Sequence, residues 1–216
     1  MIFIATARWQ RGLYFVTPEL TDTAVLLALV EQALAGGAVL LQYRNKSSDS
    51  DLRRAQATAL REIACTHCVP LIINDDVDLA HAVAADGVHL GRTDVDIATA
   101  RGALGPEAII GASCYASIEC AREATAAGAN YVAFGAMFAS PTKPHAPRAP
   151  LTLFEETAAL GIPRVAIGGI NLDNAPSVVG AGADLIAVIT AISEAGDPHG
   201  VAERFAALFA KDGPPA

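Results

Sequence analysis

Long apolar runs are missing from this chain. No stretch of about 18 apolar residues occurs, so a membrane-spanning helix is not expected. The N-terminus, Met-Ile-Phe-Ile-Ala-Thr-Ala, is apolar but short and lacks a basic segment, so a signal peptide is not expected either. The expected location is the cytosol. Positive charge is scarce: 15 Lys and Arg stand against 23 Asp and Glu, a net charge of -8. Nucleic-acid binders show the opposite balance, so neither nucleic acid nor membrane is an expected partner. A local anion site needs only a few cations, which makes their placement matter more than their total. The four cysteines, Cys65, Cys68, Cys114 and Cys120, are too few for a disulfide framework in 216 residues. Cys65 and Cys68 read C-x-x-C, but no second such pair exists. They also fall near the end of a predicted helix, where thioredoxin-like pairs open one, so free thiols are expected. No Gly-x-Gly-x-x-Gly follows the first apolar run, which weakens a dinucleotide fold. The histidines His67, His81, His89, His145 and His199 show no metal-ligand spacing, and none is assigned catalysis; His89 lies within a predicted strand and reads as a packed core residue.

What is present is one alternation carried from end to end. Apolar runs predict strands at Leu13–Thr17, Val39–Tyr43, Leu71–Asn74, Gly87–Leu90, Ile109–Ser113, Tyr131–Gly135, Arg164–Ile167 and Leu185–Ile189. Helical spacing lies between them. Leu26, Leu29, Val30, Ala33 and Leu34 share one face, with Gly36-Gly37 as the stop. Ala121, Ala124 and Thr125 mark a second helix, stopped by Gly128, and Val201, Phe205, Leu208 and Phe209 mark the last. The turns Ala35-Gly36-Gly37-Ala38, Ala127-Gly128-Ala129 and Ala181-Gly182-Ala183 each fit a glycine cap before a strand. Eight such units predict an α/β fold, a single (β/α)8 TIM barrel in one domain spanning 1–216. The barrel itself is expected over about 12–210, after a short N-terminal segment 1–11 that contains Trp9 and before a frayed tail 211–216.

In a barrel of this kind the site lies at the C-terminal ends of the strands. The second strand runs into Gln42-Tyr43-Arg44-Asn45-Lys46, and alternation puts Gln42, Arg44 and Lys46 on one side. Two cations and an amide suit a diphosphate; the alternative is a strand end whose charges reach solvent. The third strand ends Asn74-Asp75-Asp76 and the fourth leads to Asp94. Asp75 and Asp94 on adjacent loops suit Mg2+, with a helix N-cap as the alternative for Asp94. Asp76 reads as part of the first turn of the next helix. The fifth strand ends in Ser113. Ser140, Thr142 and Lys143 lie in the long irregular stretch Ala136–Pro150, either an anion-binding lid or an ordinary proline-rich loop. Gly168-Gly169 and Val188-Ile189-Thr190 occupy the slots where such barrels hold phosphate, although glycines also serve tight turns.

These motifs, in this order, resemble the thiamine-phosphate synthase family from about Tyr14 to Ile192. The most specific pieces are Gln42-Tyr43-Arg44-Asn45-Lys46, then Asn74-Asp75-Asp76-Val77-Asp78-Leu79-Ala80 with Gly87-Val88-His89-Leu90-Gly91 and Asp94, then Pro141-Thr142-Lys143 and Gly168-Gly169-Ile170. The resemblance implies a Mg2+-using transferase of thiamine biosynthesis acting on two small-molecule substrates. It would couple 4-amino-2-methyl-5-(diphosphooxymethyl)pyrimidine with 4-methyl-5-(2-phosphoethyl)thiazole, releasing diphosphate. It implies that Gln42, Arg44, Lys46, Asn74, Ser113 and Lys143 hold the pyrimidine diphosphate, with Arg44, Lys46, Lys143 and Ser113 as the catalytic set. Asp75 and Asp94 would hold the metal. Ser140, Thr142, Gly169, Ile189 and Thr190 would hold the thiazole phosphate, and Tyr43, Asn45 and Pro141 count among the substrate contacts. Cys114-Tyr115 follows Ser113 where many members carry a His, and Thr190 stands where Ser is common. The family often has a longer N-terminal segment, which leaves closure of the barrel's bottom open.

The competing readings are a thiazole tautomerase-like paralogue and a noncatalytic phosphate-ligand barrel. A tautomerase would not need Arg44, Lys46, Asp75, Asp94 and Lys143 together. The sequence leaves the oligomeric state open, a homo-oligomer included.

Overall fold

The computed structural model describes residues 8–139 and 148–210. Its strands are β1 (Gly12–Val16), β2 (Ala38–Tyr43), β3 (Leu71–Asn74), β4 (Gly87–Leu90), β5 (Ile109–Tyr115), β6 (Tyr131–Phe134), β7 (Arg164–Ile167) and β8 (Leu185–Val188). They pair in parallel in sequence order, and β1 pairs with β8, closing an eight-stranded barrel. The connecting helices are α1 (Thr23–Ala35), α2 (Ser50–Thr66), α3 (Val77–Ala82), α4 (Ile97–Leu104), α5 (Ile118–Ala126), α6 (Thr152–Glu156) and α7 (Ala175–Gly180). After β8 the chain makes one short turn, α8 (Thr190–Ser193), before α9 (Pro198–Ala206). Three strands have the expected bounds and the others differ by a residue or two. α8 was not foreseen, because four residues are too few to show a period.

The acidic balance of the chain has a structural use. Asp22, Asp49, Asp76, Asp96 and Asp197 cap α1, α2, α3, α4 and α9, each accepting from a backbone N–H of the first turn. Ser117 caps α5 in the same way. At the other helix ends Gly37, Gly128 and Gly182 adopt φ values of 99°, 93° and 98°. Gly128 N donates to Thr125 O and Ala129 N to Ala124 O, the paired bonds of a Schellman turn. The repeated Ala-Gly wording thus reflects one conformation that a side chain strains.

Strand alternation sorts side chains into two cores. Outward residues such as Leu13, Phe15, Leu41, Ile73 and Phe134 pack under the helices, where α1 contributes Leu26, Leu29, Val30, Ala33 and Leu34. Inward residues Tyr14, Val16, Leu40, Ile72, Tyr131, Ala133, Val165, Leu185 and Ala187 fill the barrel. Trp9 belongs to this inner group. It is 6% exposed and meets the Tyr131 ring edge-on, with centroids 6.1 Å apart. The residue expected to lie outside the barrel therefore closes its bottom.

Candidate active site

The ends of β2, β3 and β4 build the charged side of the barrel mouth. Thr17 joins β1 to β2: Arg44 N donates to Thr17 Oγ1 at 2.9 Å, and Thr17 N donates to Gln42 O at 2.9 Å. Arg44 Nη1 reaches Glu19 Oε1 at 2.5 Å, and Lys46 Nζ donates to Asp75 Oδ2. Asp75 takes a left-handed φ of 63°, which Asp tolerates better than most side chains. Its N–H donates to His89 O at 2.8 Å, tying the end of β3 to β4.

Asp94 is free of helix duty. The cap of α4 is Asp96, whose Oδ1 accepts from Thr99 N at 2.7 Å. Asp94 Oδ2 instead accepts from Gly91 N at 2.7 Å, and its carboxyl comes within hydrogen-bond reach of Asp75. Burial raises the Asp94 pKa; the Gly91 N–H opposes the rise and the neighbouring Asp75 adds to it. Asp76 is a capping residue, with Oδ1 on Leu79 N at 2.8 Å and Oδ2 on Arg53. A cleft of about 520 Å³ opens here between Asn45, Lys46, Asn74 and Asp75 on one side and Val95, Thr99 and Ala103 on the other. It takes in Asp75 but not Asp94, and does not reach Gln42, Ser113, Gly169 or Thr190. Among the described residues no group of three or more His, Cys, Asp or Glu is arranged so that it could hold a metal ion.

Not every residue singled out in the sequence reaches this mouth. Tyr43 is 2% exposed in the layer between sheet and helices, where its hydroxyl donates to Gln56 Oε1 at 2.8 Å. Alternation sends it outward, away from Gln42. Asn45 has its side chain partly committed: Nδ2 donates to Gln56 Oε1, and Oδ1 accepts from Ser47 N. Ser140, Pro141, Thr142 and Lys143, and with them the centre of the expected lid, lie outside the described residues. The leading flank is tied to the end of β7, with Met137 N donating to Ile167 O and Phe138 N to Gly168 O, and the two flanks are joined by Ala149 N donating to Ala136 O.

Gly168 and Gly169 have φ values of 102° and 65°. A Cβ on Gly169 would stand 2.6 Å from Ala139 O, and one on Gly168 would stand 2.7 Å from Ala136 Cβ. The glycines thus let the chain after β6 close onto the turn after β7. Beside them Ile189 precedes α8, which begins at Thr190. First-turn amides of a helix have no intrahelical acceptor, which suits an anion.

Below the mouth runs a feature that reading the strands one by one missed. Gln42 Nε2 donates to Tyr14 Oη at 2.6 Å, and Tyr14 Oη lies 2.8 Å from Tyr131 Oη. Tyr131 Oη lies 3.0 Å from His89 Nδ1, and His89 Nε2 lies 2.8 Å from Ser113 Oγ. Burial pushes both phenols above their ordinary pKa. It pushes His89 down to about 4, against the opposing pull of the Asp75 carboxylate. The signal was present in the alternation: Tyr14, Gln42, His89, Ser113 and Tyr131 all fall on inward positions of their strands. His89 is buried as expected, and its ring is hydrogen-bonded at both nitrogens. All four cysteines are free thiols.

Comparison with known proteins gives one consistent result. The family model for thiamine monophosphate synthase matches residues 13–192. A thiamine-phosphate synthase of Azoarcus sp. is 57% identical over 201 residues, covering 93% of this chain and 98% of that protein. One from Chromobacterium violaceum is 57% identical over 198 residues, covering 92% and 96%. The solved thiamine phosphate pyrophosphorylase of Pyrococcus furiosus superposes with a TM-score of 0.83 at 35% identity, covering 94% of this chain and 98% of that one.

Proposed function

The chain belongs to the thiamine monophosphate synthase family, and we propose that its barrel mouth divides that family's reaction between a metal-bearing side and a glycine-rich phosphate side. The protein is a transferase of thiamine biosynthesis that couples the pyrimidine diphosphate with the thiazole phosphate. One C–O bond to diphosphate breaks, and one C–N bond from the thiazole nitrogen forms. The electron-rich aminopyrimidine stabilises the positive charge left on its methylene carbon. The protein's share is to hold both rings in line and to neutralise the charge growing on the leaving diphosphate.

In this reading Gln42, Asn74 and Ser113 seat the pyrimidine, and Arg44, Lys46 and Lys143 meet the diphosphate. Arg44 and Lys46 are paired with Glu19 and Asp75 at partly exposed positions, 35% and 53% for the two cations. Such pairs are weak, so a diphosphate competes for both cations. Gly169, Ile189, Thr190, Ser140 and Thr142 take the thiazole phosphate. The reaction is placed in the cytosol, on small-molecule substrates, with the 216 residues as one catalytic domain.

The observation that carries the metal side is the Asp75–Asp94 pair: two neighbouring carboxylates, neither serving as a helix cap, with Asp75 also lining the cleft. This donor set fits Mg2+, which takes oxygen ligands and keeps positions for water and phosphate oxygens. Asp75 and Asp94 would hold the ion there, and the chemistry it would supply is Lewis-acid withdrawal of charge from the leaving diphosphate. Turnover should vanish on chelation and return with Mg2+, and Asp75→Ala should lose at least a hundredfold in kcat while its circular dichroism stays unchanged. Full turnover in the chelated enzyme would rule out this metal assignment.

A further inference from the structure

The buried row from Gln42 to Ser113 does more than fill the barrel. Its members come from five different strands, β2, β1, β6, β4 and β5. Tyr14 is 1% exposed, Tyr131 0%, Gln42 4% and His89 8%, so these groups depend on one another for hydrogen bonds. Room for the row is made at Gly111, where a Cβ would stand 2.0 Å from Tyr131 Cζ.

With the Gln42 amide turned Nε2 toward Tyr14, proton counting sets the direction of the remaining bonds. The Gln42 Nε2 amide only donates, so Tyr14 Oη accepts. The Tyr14 proton then goes to Tyr131 Oη, and the Tyr131 proton goes to His89 Nδ1. A neutral imidazole with Nδ1 as acceptor carries its proton on Nε2, which donates to Ser113 Oγ. The Ser113 hydroxyl, having accepted inside, has its own proton left for the mouth. At the other end, Gln42 Oε1 accepts nothing among the described residues and is not sealed from solvent. Reversing one bond would force all the others to reverse, because an unmatched O–H inside the barrel loses its water without gaining a partner.

We propose that Tyr14, Tyr131 and His89 are positioning residues that lock Gln42 and Ser113 into opposite hydrogen-bond roles. Gln42 accepts and Ser113 donates, which selects a ring edge carrying an N–H group beside a bare ring nitrogen. This rests on the reading of Gln42 and Ser113 as pyrimidine contacts. The edge formed by the exocyclic amine and adjacent nitrogen of an aminopyrimidine has this pattern; an edge with two acceptors does not.

The test compares the aminopyrimidine diphosphate with an analogue whose amine is replaced by methoxy, which presents two acceptors. Dissociation constants are measured by calorimetry for wild type, Tyr131→Phe, Tyr14→Phe and Ser113→Ala. Wild type should prefer the amine on the order of a hundredfold. Each Tyr→Phe variant should narrow that ratio at least tenfold, with the KM for thiazole phosphate changing less than twofold. The methoxy bulk is the same in every protein and cancels in the ratio of ratios. An unchanged ratio in both Tyr→Phe variants would overturn the proposal, as would an equal rise in the thiazole phosphate KM, which marks a merely structural role. Ser113→Ala separates the two levels: if it leaves pyrimidine affinity untouched, the site reading itself fails and the proposal falls with it. Nitrogen-15 NMR of wild-type His89 decides even where a variant does not fold. A single ring proton on Nε2 is expected, and a proton on Nδ1 overturns the polarity assigned here.

Discussion

At the scale of single residues, small differences in position separate structure from chemistry. Gly111 has no functional atom of its own, yet its missing side chain is what admits the Tyr131 ring. Gly111→Ala should cost about 1–3 kcal/mol of stability through overpacking, read by urea unfolding, and should weaken pyrimidine binding as well. His89 provides a pH prediction. Its folded pKa of about 4 lies below its ordinary 6.5, so the unfolded chain binds its proton first as pH falls. The stability tied to neutral His89 is complete above about pH 6.5 and is lost as pH falls toward 4. It amounts to about 3 kcal/mol at most. Unfolding free energies at pH 7 and pH 4.5 should differ less in His89→Gln than in wild type; an equal difference would count against burial as the cause.

At the scale of elements, the junction between β4 and α4 puts two aspartates two residues apart in different employment. Asp96 caps α4, and Asp94 faces Asp75. Asp96→Ala should cost about 1 kcal/mol of stability with turnover kept. Asp94→Ala should leave stability nearly unchanged and abolish turnover. Were the two phenotypes exchanged, the capping alternative for Asp94 would be correct after all. The elements themselves were legible in the sequence because period and punctuation agreed. The α1 face and the Ala-Gly turns were read correctly, since burial and left-handed glycines leave local marks. The inner row was not legible strand by strand. Its hydrogen bonds join residues 24 to 117 positions apart, and only closure of the barrel brings Tyr14 to Tyr131. Trp9 was misjudged for the same reason: a residue ahead of the first strand shows no sign, along the sequence, that it plugs the bottom.

For the whole molecule, the barrel brings to one rim the two groups of residues proposed above as separate anion sites, fed by different strands. β2 to β4 supply cations and paired carboxylates, and β7 and β8 supply a glycine turn and a helix start. On the proposed division, a chain of net charge -8 meets anionic substrates with two cations placed just after β2, Arg44 and Lys46, while its capping aspartates lie in the loops that open helices. The central claim is that the two sites serve different substrates. The most direct measurement is steady-state kinetics of Lys46→Ala and Thr190→Val with each substrate varied in turn. Interactions that strengthen as charge develops act on kcat, and uniform ones act on KM. Lys46→Ala should lower kcat on the order of a hundredfold, the size of a lost charge-stabilising donor, with little change in the KM for thiazole phosphate. Thr190→Val should raise that KM about tenfold and leave kcat within about threefold. If Lys46→Ala raised only the thiazole phosphate KM while Thr190→Val lowered kcat, the assignment of the two sites would be contradicted.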